Sequence, residues 1–198
     1  MSNINVNYKN VFIHVPKCAG SSMERLYFVG GAAHMNLYHI TRRPNFNKSF
    51  IRWAFIRNPY TRIASAYFAM SGVTETERII KREHKTFKDF IMNIYKYLPK
   101  SIDYKVEYGG YQVYHILPLY YYLKDDKYEM NFIGRFENLQ EDWKKLTKLI
   151  GVNSKLYHIN KTTKKPTNYL SLYDNDMKSI IESVYKLDFE YYYKDWNF

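Results

Sequence analysis

The chain has 198 residues, 46% of them hydrophobic, and 30 basic against 19 acidic side chains give it a formal charge of +11. This length and apolar content predict one folded domain with a full core and argue against two large ones. A single cysteine, Cys18, excludes an internal disulfide and a cysteine-rich zinc site, and no apolar run approaches the length of a bilayer span.

The opening MSNINVNYKN lacks the basic-then-apolar layout of a secretory signal, so the expected location is the cytoplasm, with peripheral membrane contact compatible with the charge. The positive charge draws polyanions by long-range attraction. It does not by itself separate nucleotide, nucleic acid, membrane surface or acidic glycan. The 22 tyrosines suit core packing first and stacking on sugars or bases second.

In chain order, VFIHV at 11–15 reads as a buried strand closed by Pro16, and SSMERLYFV after it as a helix with capping serines. FIRWAFI at 50–56 repeats the pattern as a second strand, cut by RNPY and followed by the helical spacing of TRIASAYFAM. After a charged stretch, Phe87, Phe90, Ile91, Ile94 and Leu98 make one helical face, with Thr86 as N-cap and Pro99 as the stop. Beyond the turn-rich VEYGGYQ and HILPLYYYL comes a strand at 131–134 and a helix ending at Gly151. NKTTKKPTNY is a basic loop, and the rest reads as a terminal helix with an aromatic end. Strands alternating with helices predict one α/β domain over 1–198, with an open, mainly parallel, P-loop-like sheet flanked by helices.

Two strand-to-helix loops carry the chemistry. A helix N-terminus presents unpaired N–H groups and the positive end of its dipole, which suits an anion. In PKCAGSS, 16–22, Gly20 allows close backbone approach, Ser21 and Ser22 add hydroxyls, and Lys17 adds charge. An ordinary strand-to-helix turn explains the same letters equally well. A nucleotide-triphosphate loop places lysine after glycine, whereas here it precedes glycine by three residues, toward the bond being broken. In RNPYTRIASAY, 57–67, Arg57 ends the strand and Ser65 lies eight residues on, a guanidinium and a hydroxyl suited to a second phosphate.

Together these motifs resemble the sulfotransferases that use 3'-phosphoadenosine 5'-phosphosulfate, especially the carbohydrate branch. HVPKCAGSS is similar to that family's 5'-phosphosulfate loop, and RNPYTRIASAY to its 3'-phosphate motif R-[ND]-P-x-x-R-x-x-S-x-[YF]. The resemblance implies that Lys17 stabilises the departing nucleotide while Cys18, Ala19, Gly20, Ser21 and Ser22 cradle the phosphosulfate. It implies that Arg57 and Ser65 hold the 3'-phosphate, and that the basic loop 160–168 covers the nucleotide through Asn160 and Lys161. Cys18 contributes its backbone rather than its thiol, and no metal is required.

Sulfuryl transfer also needs a base for the acceptor hydroxyl. Imidazole titrates near neutrality, and GAAHMNLYHITRR places His34 and His39 where similar carbohydrate sulfotransferases carry a catalytic histidine on or beside a strand. His39 is the expected base; His34, His14 and His115 follow in that order, with Glu24 and Glu137 as carboxylate alternatives and Glu137 read chiefly as a loop anchor. The expected acceptor is a hydroxyl on a sugar or glycoconjugate, with Arg42, Arg43 and Arg52 either on its side of the site or plain surface charges. A small P-loop kinase and a non-catalytic nucleotide- or nucleic-acid-binding protein are the competing readings. No helix-turn-helix, zinc or RNP signature supports specific nucleic-acid recognition.

Overall fold

A computed structural model describes residues 3–27, 33–70, 75–108, 111–153, 156 and 168–195, with the backbone alone described at 24–27, 75–77 and 111–113. In chain order the elements are β1 (Ile4–Asn5), β2 (Asn10–Ile13), α1 (Gly20–Tyr27), α2 (Leu37–Ile40), β3 (Ile51–Ile56), α3 (Pro59–Ala69), α4 (Glu75–Glu83), α5 (Phe87–Met92), α6 (Tyr111–Ile116), α7 (Leu119–Leu123), β4 (Phe132–Arg135), α8 (Leu139–Leu149), α9 (Asn175–Val184) and α10 (Lys186–Tyr192). The α/β class is the expected one. The chain groups into two compact units, 1–57 with 121–161 and 58–120 with 162–198.

The first unit holds a four-stranded sheet in the order β1-β2-β3-β4. β1 runs antiparallel to β2, and β2, β3 and β4 are parallel, with Phe12 opposite Trp53 and Phe55 opposite Gly134. β2 is buried on both faces, with Val11, Phe12 and Ile13 supplying its apolar side chains. Phe12 stacks on Trp53 with ring centroids 4.3 Å apart, and Trp143 of α8 meets Trp53 and Phe55 at 6.3 Å each. The indole N–H of Trp53 finds its acceptor in Asn10 at 3.0 Å. Gly134 is obligatory here, because a Cβ would come within 2.5 Å of the Phe55 ring that lies across it.

Two features of this unit depart from the sequence expectation. β2 stops at Ile13, where Val15 N–H turns back to the Ile13 carbonyl, so His14 and Val15 begin the loop instead of extending the strand. The segment with His39, expected on or beside a strand, is not on one: it is the short helix α2, capped by Asn36, whose side chain accepts from His39 N–H at 3.0 Å.

The second unit is helical. Asn58 caps α3 through Tyr60 N–H and Pro59 occupies its first turn, the arrangement that favours helix initiation. Tyr67, Phe87, Phe90, Ile91, Ile94 and Ile181 pack with α3 into one core. The expected helix ending at Pro99 divides into α5 and a 3-10 turn at Ile94–Tyr97, and the terminal helix breaks at Tyr185 into α9 and α10. HILPLYYYL becomes the end of α6 and the whole of α7, separated at Pro118.

Candidate functional site

The loop leaving β2 is shaped by two residues in left-handed backbone, Lys17 at φ 69° and Ala19 at φ 67°. Each costs a non-glycine residue about 1–2 kcal/mol, so the surrounding contacts must hold the loop in this form. Cys18 between them is 1% exposed, and its thiol faces the Pro16 carbonyl at 3.5 Å. Ser22 N–H bonds to the Ala19 carbonyl at 3.0 Å, closing the turn into α1, and Ser22 is buried while Ser21 is exposed. The amides at 18–22 therefore sit at a helix start beside a lysine, the arrangement that receives an anionic group.

Gly20 is fixed by a neighbour. A Cβ there would overlap the imidazole of His14, which lies against the glycine. The His14 ring is buried, stacks on Phe12 at 5.3 Å and meets the His34 ring at 4.3 Å. His34 Nδ1 stands 3.2 Å from the His14 carbonyl, and a carbonyl can only accept. The bond thus requires the proton on Nδ1 and leaves the lone pair on Nε2. Asn3 steadies this arrangement by donating to the Phe12 carbonyl at 3.0 Å and the Ala33 carbonyl at 2.8 Å.

Arg57, the first residue after β3, brings the second motif to this loop. Its Nη1 donates to the Lys17 carbonyl at 3.5 Å and its guanidinium lies over the Phe136 ring at 4.1 Å. Parallel pairing of β2 with β3 makes this possible: two loops 40 residues apart leave the same edge of the sheet side by side.

His39 is half-buried on α2, with Tyr38 edge-on at 5.3 Å. Its Nε2 is buried and has no hydrogen-bond partner among the described residues.

A model described as the sulfotransferase family matches residues 2–194. This chain belongs to the sulfotransferase family. No curated protein matches, and no solved structure does. Sulfotransferases transfer a sulfuryl group to a hydroxyl acceptor, so the loops of this sulfotransferase belong to a transferase.

Of the other residues expected at the site, Ser65 lies on α3 in the second unit and is 6% exposed. His115 lies on α6, where its carbonyl accepts from Arg62. Asn160 and Lys161, with loop residues 160–167, lie outside the described residues, as does the Glu24 side chain. Among the described residues no group of three or more His, Cys, Asp or Glu is placed to hold a metal ion, and no helix is long and apolar enough to cross a membrane.

Two arginines expected either at the acceptor or as plain surface charges are engaged within the chain, Arg42 at the exposed surface and Arg52 buried. Arg42 stacks on Tyr38 at 3.4 Å and pairs with Asp125 at 2.7 Å and Asp126 at 2.6 Å. Burial works against ionisation of Asp125. The Lys127 N–H, Arg42, Thr41 and the Tyr128 N–H outweigh it and hold the carboxyl below its usual range. Arg52 spends its guanidinium on the carbonyls of Glu129, Lys48 and Phe50. Arg43 is exposed. Asp142 accepts from Arg135 N–H at 2.9 Å and Asn138 at 3.1 Å at the end of β4, and Glu137 is exposed.

The structure also gives Arg62 of the 3'-phosphate motif a place that spacing does not reveal. It is 0% exposed in the second unit and donates to the carbonyls of Leu117 and His115. The fully buried Asp188 accepts from Leu119 N–H at 2.8 Å and Tyr120 N–H at 2.9 Å, capping α7. Burial pushes the Asp188 carboxyl up to about 6, against the opposing pull of Arg62 and the two amides.

Proposed function

We propose that this sulfotransferase uses 3'-phosphoadenosine 5'-phosphosulfate as donor and sulfates a hydroxyl of a sugar or glycoconjugate in the cytoplasm, without a metal. The loop from Cys18 to Ser22 cradles the phosphosulfate, and Lys17 meets the bridging oxygen. Arg57 receives the 3'-phosphate, with Ser65 as the hydroxyl of the same motif, and Asn160 and Lys161 cover the nucleotide. The acceptor oxygen attacks sulfur in line as the bond from sulfur to the bridging oxygen breaks. Its proton passes to a histidine, and adenosine 3',5'-bisphosphate departs with the electron pair, its charge balanced by Lys17. The observation that supports the reading is the approach of Arg57 Nη1 to the Lys17 carbonyl, which brings the loops of the two motifs together.

Calorimetry of the full chain with adenosine 3',5'-bisphosphate tests it. The bisphosphate is expected to bind without magnesium and with less salt dependence than DNA. Arg57→Ala is expected to weaken it by about two orders of magnitude, the cost of stranding a charged phosphate. Tight binding of ATP with indifference to the bisphosphate would replace the reading with a kinase.

Chain order makes His39 the base, and its unpartnered Nε2 is consistent with that role. A second reading gives the role to His34, because the bond to the His14 carbonyl sets the tautomer that a base requires. The two separate in turnover at saturating donor. Loss of the acid-limb pH dependence in His39→Ala but not His34→Ala assigns His39, and the reverse assigns His34.

A further inference from the structure

His14 touches both the donor loop and the histidine-bearing segment, yet its side chain has no part in the chemistry above. Its ring occupies the space in which a residue at position 20 would carry its Cβ. Phe12 supports one side of that ring and His34 packs against it at a tilt of 56°. Immediately before Gly20 in the chain come the two residues in left-handed backbone, Lys17 and Ala19, with buried Cys18 between them. A loop of non-glycine residues in this conformation relaxes unless a neighbour fills the space it would move into.

We infer that His14 is a positioning residue: its imidazole is the wedge that holds the donor loop in its anion-receiving form before the donor arrives. Preorganisation of this kind raises affinity because the loop need not be ordered on binding. The inference rests on the donor reading above for its effect on nucleotide affinity, but its effect on the loop is independent of any ligand. The volume occupied by the imidazole and the volume an added Cβ would occupy are the same, so changes at positions 14 and 20 compensate each other instead of adding.

Cys18, the chain's one cysteine, reports on the loop directly. The experiment measures the labelling rate of Cys18 by a thiol reagent, and the Kd for adenosine 3',5'-bisphosphate, in the full-length wild type, His14→Ala, Gly20→Ala, the double variant and His14→Gln. His14→Ala and Gly20→Ala are each expected to speed labelling and to raise Kd, both by about tenfold or more. The double variant is expected to return within about threefold of wild type in both, and His14→Gln, which keeps a flat polar side chain against the glycine, to stay near wild type. Single variants that label at the wild-type rate, or a double variant whose losses multiply, would overturn the inference. A wild type that fails to bind the bisphosphate while the labelling rates still compensate removes the donor reading and leaves His14 as the wedge of a loop for another anion.

Discussion

Lys17→Ala is expected to lower kcat by about 10²–10³-fold while moving the Kd for adenosine 3',5'-bisphosphate by less than about tenfold. The asymmetry follows from where charge develops. As sulfur leaves, the bridging oxygen becomes a phosphate oxygen, and a cation placed there stabilises the transition state more than the bound ground state. Residue 17 already sits in left-handed backbone, and alanine occupies the same conformation two residues later, so the loop survives the substitution. Single-turnover sulfation of a sugar acceptor, with calorimetry of the same protein, separates the two quantities. A variant whose affinity collapses with kcat intact would make Lys17 a plain phosphate ligand and take it out of the bond-breaking step.

Arg62→Ala is expected to destabilise the second unit by about 3–5 kcal/mol, the range for removing one partner of a buried charged pair, with a Tm lower by on the order of 10 °C. The change strips two carbonyls of their donor and removes the positive charge that opposes the upward shift of the Asp188 carboxyl. Asp188 titrates in the fold at about 6, above the ordinary value for aspartate, so its contribution to stability is full below the ordinary value and lost as pH rises through about 6. Without Arg62 that carboxyl moves further up. Thermal melts are therefore expected to show a larger penalty for Arg62→Ala at pH 8 than at pH 5. Equal penalties at the two values would mean that Arg62 acts through its hydrogen bonds and packing alone.

Both predictions concern residues that the sequence singles out by motif, yet it reads them to different depths. Lys17, Gly20 and Arg57 are legible because loops between a strand and a helix have a local grammar. The apolar run, the glycine and the capping serines lie within a dozen residues, and their physics is that of the backbone itself. Arg62 stands in the same motif and looks like one more cation for a phosphate. Its burial depends on the carbonyls of Leu117 and His115 and on a carboxylate 126 residues away, and no local pattern encodes that.

The same division runs through the whole chain. Alternating apolar runs and amphipathic stretches determine by themselves the α/β class, the parallel core strands that lie at 10–13 and 51–56 and the positions of the two strand-to-helix loops, because strand and helix periodicities are written in neighbouring residues. Only the tertiary structure decides that His14 packs on Gly20, that His34 is held in one tautomer, that Arg42 and Arg52 are tied up within the chain, and that HILPLYYYL makes helix when Asp188 caps it. Each of these depends on side chains distant in sequence meeting in space. Charge and spacing set which partners a residue is able to take, and packing selects the one it has.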